Sequence, residues 1–212
     1  MTTPSPRPSA TLACLALVSA AALAAPPTLL DWALAVQPAP DAHAPDALQA
    51  TPHKPFGAEG GTWLTLGAGL ASNFSDAEDT YAFAQWSTFP ADDFELAIQA
   101  GLWALDTTED YTPGASLATY FKWHYYRTDR MTLFAEAGLG VLLAGEQVPP
   151  EGTNFNFQPT LGGGLTWRLT DAGSRLVAGL RWHHISNARI LGDDDNPARD
   201  GAMLYAGIAI PF

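Results

Sequence analysis

The residues of this chain best suited to chemistry are a histidine and a serine two positions apart, His184 and Ser186. Side chains alternate between the two faces of a β-strand, so in a strand these two residues share a face. A serine hydroxyl is a weak nucleophile, and a neighbouring imidazole activates it by accepting its proton. A carboxylate such as Asp200 can fix the imidazole tautomer and stabilise the imidazolium. The pattern is compatible with a nucleophilic serine activated by histidine, although a pair of interfacial polar residues would give the same sequence.

The surface around this pair is apolar. The same parity places four further side chains of the segment on the face of His184 and Ser186, namely Leu176, Ala178, Leu180 and Trp182. Polar groups on a lipid-facing surface are costly, so their presence there favours a function. A lipid substrate would explain the location.

Composition limits the class of protein. The chain has 212 residues with 10 basic and 22 acidic side chains, giving a net charge of −12. Nucleic-acid binding needs clustered Lys and Arg, so it is excluded. Beyond the N-terminus no run reaches the roughly 20 apolar residues of a spanning helix. The chain is therefore either a soluble β-rich domain or a transmembrane barrel. Acidic clusters lie between apolar segments, as solvated turns do: Asp76–Asp79, Asp92–Asp93, Glu109–Asp110 and Asp193–Asp195.

The N-terminus has the pattern of an export signal. Arg7 precedes an apolar stretch from Leu12 to Leu23, and Ala22-Leu23-Ala24 fits a cleavage site. We assign residues 1–24 to a signal peptide, which contains the single Cys14, although Ala33-Leu34-Ala35 offers a later cut. Residues 25–61 are rich in Pro and Ala and predict a disordered leader. Residues 62–212 form the predicted folded domain.

Eight strand-length segments follow, separated by Gly, Pro and Asp turns. Each has the roughly 9 to 11 residues with which a tilted strand crosses a bilayer, and an even number can close without free edges. We predict an all-β, eight-stranded antiparallel transmembrane barrel of the bacterial outer membrane. Its strands are Thr62–Asn73, Asp79–Phe89, Asp93–Leu105, Gly114–Tyr126, Met131–Leu143, Asn156–Leu169, Arg175–Ser186 and Gly201–Phe212.

The last segment is typical of a closing barrel strand. Its face from Leu204 through Ile208 to Phe212 is uniformly apolar. A terminal aromatic residue resembles the signal read by the barrel-insertion machinery, which makes that machinery an expected partner. Six tryptophans fit interfacial girdles, although any one could be a packed aromatic: Trp63, Trp86, Trp103, Trp123, Trp167 and Trp182.

Topology places the chemical residues at one end of the barrel. With both termini periplasmic, the seventh strand runs outward and carries His184 and Ser186 to the outer leaflet. The connection Asn187–Asp200 is then extracellular. Asp200 shares parity with Phe212 and therefore the outward face with His184 and Ser186, unless a bulge intervenes.

The segment His184-Ile185-Ser186-Asn187-Ala188, followed by Asn196-Pro197 and Asp200, resembles the C-terminal signature of the outer-membrane lipid A 3-O-deacylases, the PagL family of acyloxyacyl hydrolases. The stretch Glu136–Phe157 is similar to the same family's fifth and sixth strands. The resemblance is strong over residues 130–212 and mainly architectural before them. It implies a carboxylic ester hydrolase that removes the 3-hydroxyacyl chain at the 3-position of lipid A, with lipopolysaccharide as its substrate.

The resemblance also assigns roles. It implies Ser186 as nucleophile, His184 as general base and Asp200 as the acid, at a position that is often Glu in the family. Asn196 matches a residue that stabilises the oxyanion, and Asn187 belongs to the motif without a settled role. No cofactor and no metal site are expected.

Other histidines and glycines have structural interpretations. His183 has the opposite parity from His184 and should point inside the barrel towards a polar partner, and His124 should be packed or hydrogen-bonded inside. The glycines at 162–164 favour close strand packing over a phosphate loop, because no Lys-Ser/Thr follows them. Phe155 and Phe157 fit membrane contact or core packing, with an acyl groove as the alternative.

The sequence leaves two alternative functions open. The chain could be a non-enzymatic structural or adhesive barrel, or an esterase of the same fold that acts on another lipid. Acyl-chain preference is undetermined, and a homodimer through the exposed site is compatible with the sequence.

Overall fold

The computed structural model describes residues 54–73, 77–107, 110–190 and 196–212. The predicted signal peptide with Cys14, the leader up to residue 53 and the acidic run Asp193–Asp195 lie outside the described residues. None of the described segments is a helix long and apolar enough to cross a membrane.

The described chain forms eight antiparallel strands that close into a barrel, which confirms the predicted fold class. Each strand pairs with the next, and the last pairs with the first from Trp63↔Pro211 to Asn73↔Gly201. Closure leaves no unpaired strand edge in hydrocarbon. The strands are β1 Thr62–Asn73, β2 Glu78–Ala91, β3 Phe94–Asp106, β4 Tyr111–Arg127, β5 Met131–Ala144, β6 Phe155–Arg168, β7 Arg175–Ile185 and β8 Arg199–Pro211.

The two ends of the barrel differ. At one end, here the terminal end, lie Thr62, Phe212 and the short turns after β2, β4 and β6. The other end, here the loop end, carries the connections after β1, β3, β5 and β7, the longest of which joins Ile185 to Arg199. Short turns at one end and longer loops at the other are typical of outer-membrane barrels.

Alternation along each strand produces an apolar outer wall and a polar interior. In β8 the outward Leu204 is 62% exposed, whereas the adjacent Tyr205 is 2% exposed. Trp86, Trp123, Trp167 and Trp182 are exposed on the outer wall, as predicted. The girdle assignment is wrong for Trp63 and Trp103, which are buried because their parity points them into the lumen with Thr65 and Gln99.

Hydrogen-bonded charged groups share the lumen with a cluster of buried aromatic and aliphatic side chains. Arg181 is 1% exposed and donates to both carboxylate oxygens of Glu136, at 2.7 and 3.1 Å. The hydroxyl of Tyr205 donates to Glu136 at 2.7 Å, and the Arg181 guanidinium lies 4.0 Å from the Tyr205 ring centroid. Buried charges are tolerated when they are paired and hydrogen-bonded in this way. The network ties β5, β7 and β8 together.

A second lumen cluster confirms the interior position of His124. Its ring contacts Glu95 at 3.0 Å and Thr132 at 2.9 Å. The Lys122 ammonium lies 3.7 Å from the same glutamate. His124 therefore has a structural role inside the barrel.

The glycines of β6 allow close strand packing, as the sequence predicts. A Cβ on Gly162 would lie 2.3 Å from the Leu180 carbonyl oxygen, and one on Gly164 would lie 2.2 Å from that of Ala178. A side chain at either position would push β6 away from β7. These glycines therefore allow β6 to lie close to β7, the strand that carries His184.

Residues 54–61 belong to the predicted leader, yet they have defined contacts at the terminal end. The Phe56 ring packs edge-on against Trp63 and Phe89, with centroids 4.9 and 5.2 Å apart. It also lies 4.6 Å from the Arg175 guanidinium. The segment is anchored by its backbone, since Asp93 N–H donates to the Gly57 carbonyl at 2.8 Å. The composition of the segment, on which the leader prediction rests, gives no sign that Phe56 packs at the terminal end of the barrel.

Phe56→Ala should destabilise the barrel. We expect a loss of about 2 to 3 kcal/mol in the free energy of unfolding, below the value for a fully buried Phe because this ring is only partly buried. Urea titration of the purified protein in detergent would measure it. The matched control is Lys54→Ala in the same segment, because in the part of the chain that the structure describes its exposed side chain makes one hydrogen bond, to the Glu59 carbonyl. Equal stability of the two variants would contradict a packing role for Phe56.

Candidate active site

Strand pairing brings His184 and Asp200 together. His184 near the end of β7 lies directly opposite Asp200 near the start of β8. Directly opposed side chains on one face of an antiparallel pair have Cβ atoms about 4.5 to 5.5 Å apart. The register is continuous from Arg175↔Ala209 to Ile185↔Arg199, so no bulge disturbs the parity predicted for Asp200.

The three side chains form a continuous hydrogen-bonded chain. His184 Nε2 lies 2.9 Å from Ser186 Oγ. His184 Nδ1 lies 3.0 Å from Asp200 Oδ1. The carboxylate fixes the proton on Nδ1, which leaves Nε2 free to accept the serine proton. This arrangement can activate a hydroxyl for attack on an ester carbonyl.

Ser186 lies just beyond the regular part of β7. Its N–H donates to the Phe157 carbonyl at 3.3 Å, and its carbonyl accepts from Phe157 N–H at 2.7 Å. This isolated bridge to β6 extends the outward face of β7 by one residue. The serine backbone is thereby fixed beside His184, although β7 itself ends at Ile185, one residue before the predicted strand end at Ser186.

Exposure increases from the serine to the acid. Ser186 is 5% exposed, whereas the side chains of His184 and Asp200 are 23% and 48% exposed. The serine is therefore the most enclosed of the three residues. The aromatic rings of Phe155 and Phe157, with centroids 5.4 Å apart, stand on the outer face of β6 beside Ser186.

The connection after Ser186 brings Asn187 and Asn196 together. The backbone N–H of Asn187 donates to Asn196 Oδ1 at 3.1 Å. The Asn187 side chain is 1% exposed and accepts from Arg189 N–H at 2.9 Å. Ala188 and Arg189 have φ of 54° and 62°, a turn that this hydrogen bond stabilises. Asn187 thus shapes the loop that returns the chain to Asn196.

Two neighbours of the triad behave differently from expectation. His183 is 1% exposed inside the barrel, as parity predicts, but within the described part of the chain neither ring nitrogen has the polar partner expected for it. Its ring stacks on Trp103 at 6.2 Å instead. Trp182 was not predicted to take part, yet its indole N–H donates to Asp200 Oδ1 at 2.9 Å. Its shared parity with His184 was the available signal.

The fold and the site together define a class of protein. The barrel is closed and eight-stranded, has an apolar outer wall, and carries a hydrogen-bonded Ser-His-Asp arrangement on that wall, the architecture of an outer-membrane barrel protein. Residues 66–209 match the family described as lipid A 3-O-deacylase (PagL), and the chain belongs to that family. It is accordingly a lipid A deacylase of the outer membrane.

Solved structures support the fold. The crystal structure of the outer-membrane enzyme PagL superposes with a TM-score of 0.54 at 21% identity, covering 70% of this chain and 99% of that one. The crystal structure of Neisserial surface protein A (NspA) gives 0.55 at 16% identity, covering 71% and 97%. At these identities the likeness concerns the barrel alone. No curated protein matches the chain.

Proposed function

We propose that the chain hydrolyses the ester at the 3-position of lipid A by a serine-esterase mechanism, with Ser186 as nucleophile, His184 as general base and Asp200 as the orienting acid. The observation that carries the proposal is the hydrogen-bonded chain from Ser186 Oγ through His184 to Asp200, with contacts of 2.9 and 3.0 Å. Family membership supplies the substrate class.

In the first half-reaction Ser186 Oγ attacks the carbonyl carbon of the 3-linked ester. His184 Nε2 takes the serine proton as the bond forms, and Asp200 stabilises the resulting imidazolium. Collapse of the tetrahedral intermediate breaks the bond to the sugar oxygen. His184 returns its proton to that oxygen, so lipid A leaves with a free 3-hydroxyl and the acyl chain stays on Ser186.

In the second half-reaction water replaces the sugar. His184 accepts a proton from the water that attacks the acyl-serine, and then protonates Ser186 Oγ as the ester breaks. The product is a 3-hydroxy fatty acid.

The oxyanion donor is best assigned to a side chain. The backbone N–H groups of Ser186 and Asn187 already donate to the Phe157 carbonyl and to Asn196 Oδ1. A backbone N–H can only donate, so the Asn187 N–H must contact the oxygen of the Asn196 side-chain amide. The Nδ2 end remains as a donor for the developing oxyanion. We propose Asn196 for this role and Asn187 as the residue that holds it in place.

Asn196→Ala should lower kcat by about 10²- to 10³-fold, the usual effect of removing one oxyanion donor. KM should change little, because the donor acts mainly in the transition state. Release of 3-hydroxy fatty acid from lipid A in detergent would measure both constants. The control is Pro197→Ala, which alters the same loop without removing a donor. A kcat within threefold of wild type for Asn196→Ala would assign the oxyanion to another group.

The location of the site suits a substrate that never leaves the membrane. His184, Ser186 and Asp200 lie on the outer face at the loop end, and the wall below them is lined by exposed apolar residues such as Leu161, Leu180 and Leu204. An acyl chain can stay in hydrocarbon while its ester reaches Ser186. We propose that the loop end faces outward, which places the triad in the outer leaflet where lipid A resides.

Mass spectra of lipid A test the function directly. Cells that express the chain should contain lipid A lighter by one 3-hydroxyacyl group, absent from cells without it. The purified protein should produce the same loss from lipid A and not from phospholipids in detergent. Release of fatty acid only from phospholipids would favour an esterase of the same fold with another substrate. No release from any lipid would favour the non-enzymatic barrel.

A further inference from the structure

We propose that Trp182 is a positioning residue that holds the Asp200 carboxylate against His184, an inference that rests on the function proposed above. The indole ring lies on the same outward face of β7 as His184, two residues before it. Its N–H donates to Asp200 Oδ1 at 2.9 Å.

The hydrogen bonds of Trp182 and His184 converge on one atom. Asp200 Oδ1 accepts from the indole N–H at 2.9 Å and lies 3.0 Å from His184 Nδ1. Two donors on adjacent residues of one face define the position of that oxygen from two directions. Rotation of the carboxylate about its own axis would break both contacts at once. The pair therefore selects the carboxylate orientation in which an oxygen faces the imidazole.

Asp200 needs such a constraint because it is the most exposed member of the triad. Its side chain is 48% exposed, against 23% for His184. An exposed carboxylate has few protein neighbours to fix its orientation, and exposed ion pairs contribute little on their own. An indole N–H can only donate and carries no charge, so it orients the carboxylate without competing for the proton on His184 Nδ1.

The ring of Trp182 also covers the imidazole. The two ring centroids are 5.8 Å apart with an interplanar angle of 33°. Strand register places Trp182 between Leu161 of β6 and Ala202 of β8. A phenylalanine at this position would keep the apolar surface and lose only the donor, which makes Trp182→Phe the informative variant.

A double-mutant cycle tests the proposal. Trp182→Phe, Asp200→Ala and the double variant are purified in detergent, and kcat and KM for release of 3-hydroxy fatty acid from lipid A are measured. Asp200→Ala should lower kcat by about 10³- to 10⁴-fold, as removal of a triad acid does. Trp182→Phe should lower kcat by about tenfold, the effect of one hydrogen bond to a charged group, with KM changed less than twofold.

The decisive measurement is the double variant. If Trp182 acts through Asp200, the kcat of the double variant should equal that of Asp200→Ala alone, because the indole N–H then has no carboxylate to position. Effects that multiply would mean that Trp182 acts independently, and would overturn the proposal. So would a kcat within twofold of wild type for Trp182→Phe. If Trp182→Phe raised KM and left kcat unchanged, the indole would be assigned to substrate binding, which would also overturn the proposal.

Trp86→Phe is the matched control. Trp86 is 43% exposed on the outer wall, the same fraction as Trp182. It lies on β2 opposite Leu64, near the terminal end of the barrel, whereas the site is at the loop end. Its replacement should leave kcat within twofold of wild type. An equal loss in both variants would indicate a general requirement for interfacial indoles and would overturn the proposal. Wild-type protein that releases no fatty acid from lipid A, by contrast, would refute the proposed function itself.

Discussion

Ser186→Ala should abolish release of the 3-hydroxyacyl chain from lipid A while leaving the barrel intact. Without the hydroxyl, His184 has no nucleophile to activate, and the remaining groups can only assist direct attack by water. Removal of the nucleophile from a comparable triad lowers kcat by about 10⁶-fold, so we expect no product above background. Among the described residues the Ser186 side chain makes one hydrogen bond, to His184, so the fold should not depend on it.

The measurement combines lipid A mass spectra with a test of folding. The Ser186→Ala protein should keep the heat-modifiable electrophoretic mobility of a closed barrel and produce no lipid A lighter by one hydroxyacyl group. Ser72→Ala is the matched control, since Ser72 is an exposed hydroxyl at the loop end of β1 whose one hydrogen bond within the described ranges goes to the neighbouring Asn73 carbonyl. Its activity should equal that of wild type. Deacylation by Ser186→Ala would refute the serine mechanism.

The sequence was sufficient to predict much of this site because β-strands have an invariant period of two. Parity alone placed His184, Ser186 and Asp200 on one face and His183 on the other, and the structure has this arrangement. The girdle assignment did not use this rule and was wrong for Trp63 and Trp103. Trp63 shares its parity with the buried Thr65, and Trp103 shares its parity with the buried Gln99, so alternation places both rings in the lumen.

Contacts between distant segments were beyond the reach of the sequence. The hydrogen bond from Trp182 to Asp200 depends on the register between β7 and β8, which no local pattern specifies. The packing of Phe56 against Trp63 joins a Pro/Ala-rich segment to the terminal end of the barrel. The composition of a segment does not show where an individual side chain packs, and here the Phe56 ring packs against the barrel.

The largest expected effect on stability comes from the lumen. Arg181→Met removes the guanidinium that holds both oxygens of Glu136, at 2.7 and 3.1 Å. Glu136 is 2% exposed. Among the described residues it would keep two polar contacts, the Tyr205 hydroxyl at 2.7 Å and the Lys122 ammonium at 4.0 Å. The Lys122 ammonium is also paired with Glu95. An uncompensated buried charge costs about 3 to 5 kcal/mol, so we expect a loss of that size in the free energy of unfolding.

A second variant separates the charge effect from lost packing. In Arg181→Met/Glu136→Gln no buried carboxylate is left unpaired, and a neutral amide can still accept from Tyr205, so most of the lost stability should return. Urea titration in detergent would compare both variants with wild type. Because Arg181 points into the lumen and His184 points outward, the kcat of the folded fraction should stay within threefold of wild type. Equal loss of stability in the two variants would show that the arginine contributes through packing over Tyr120 and Tyr205, 4.1 and 4.0 Å from its guanidinium, and that pairing with Glu136 contributes little.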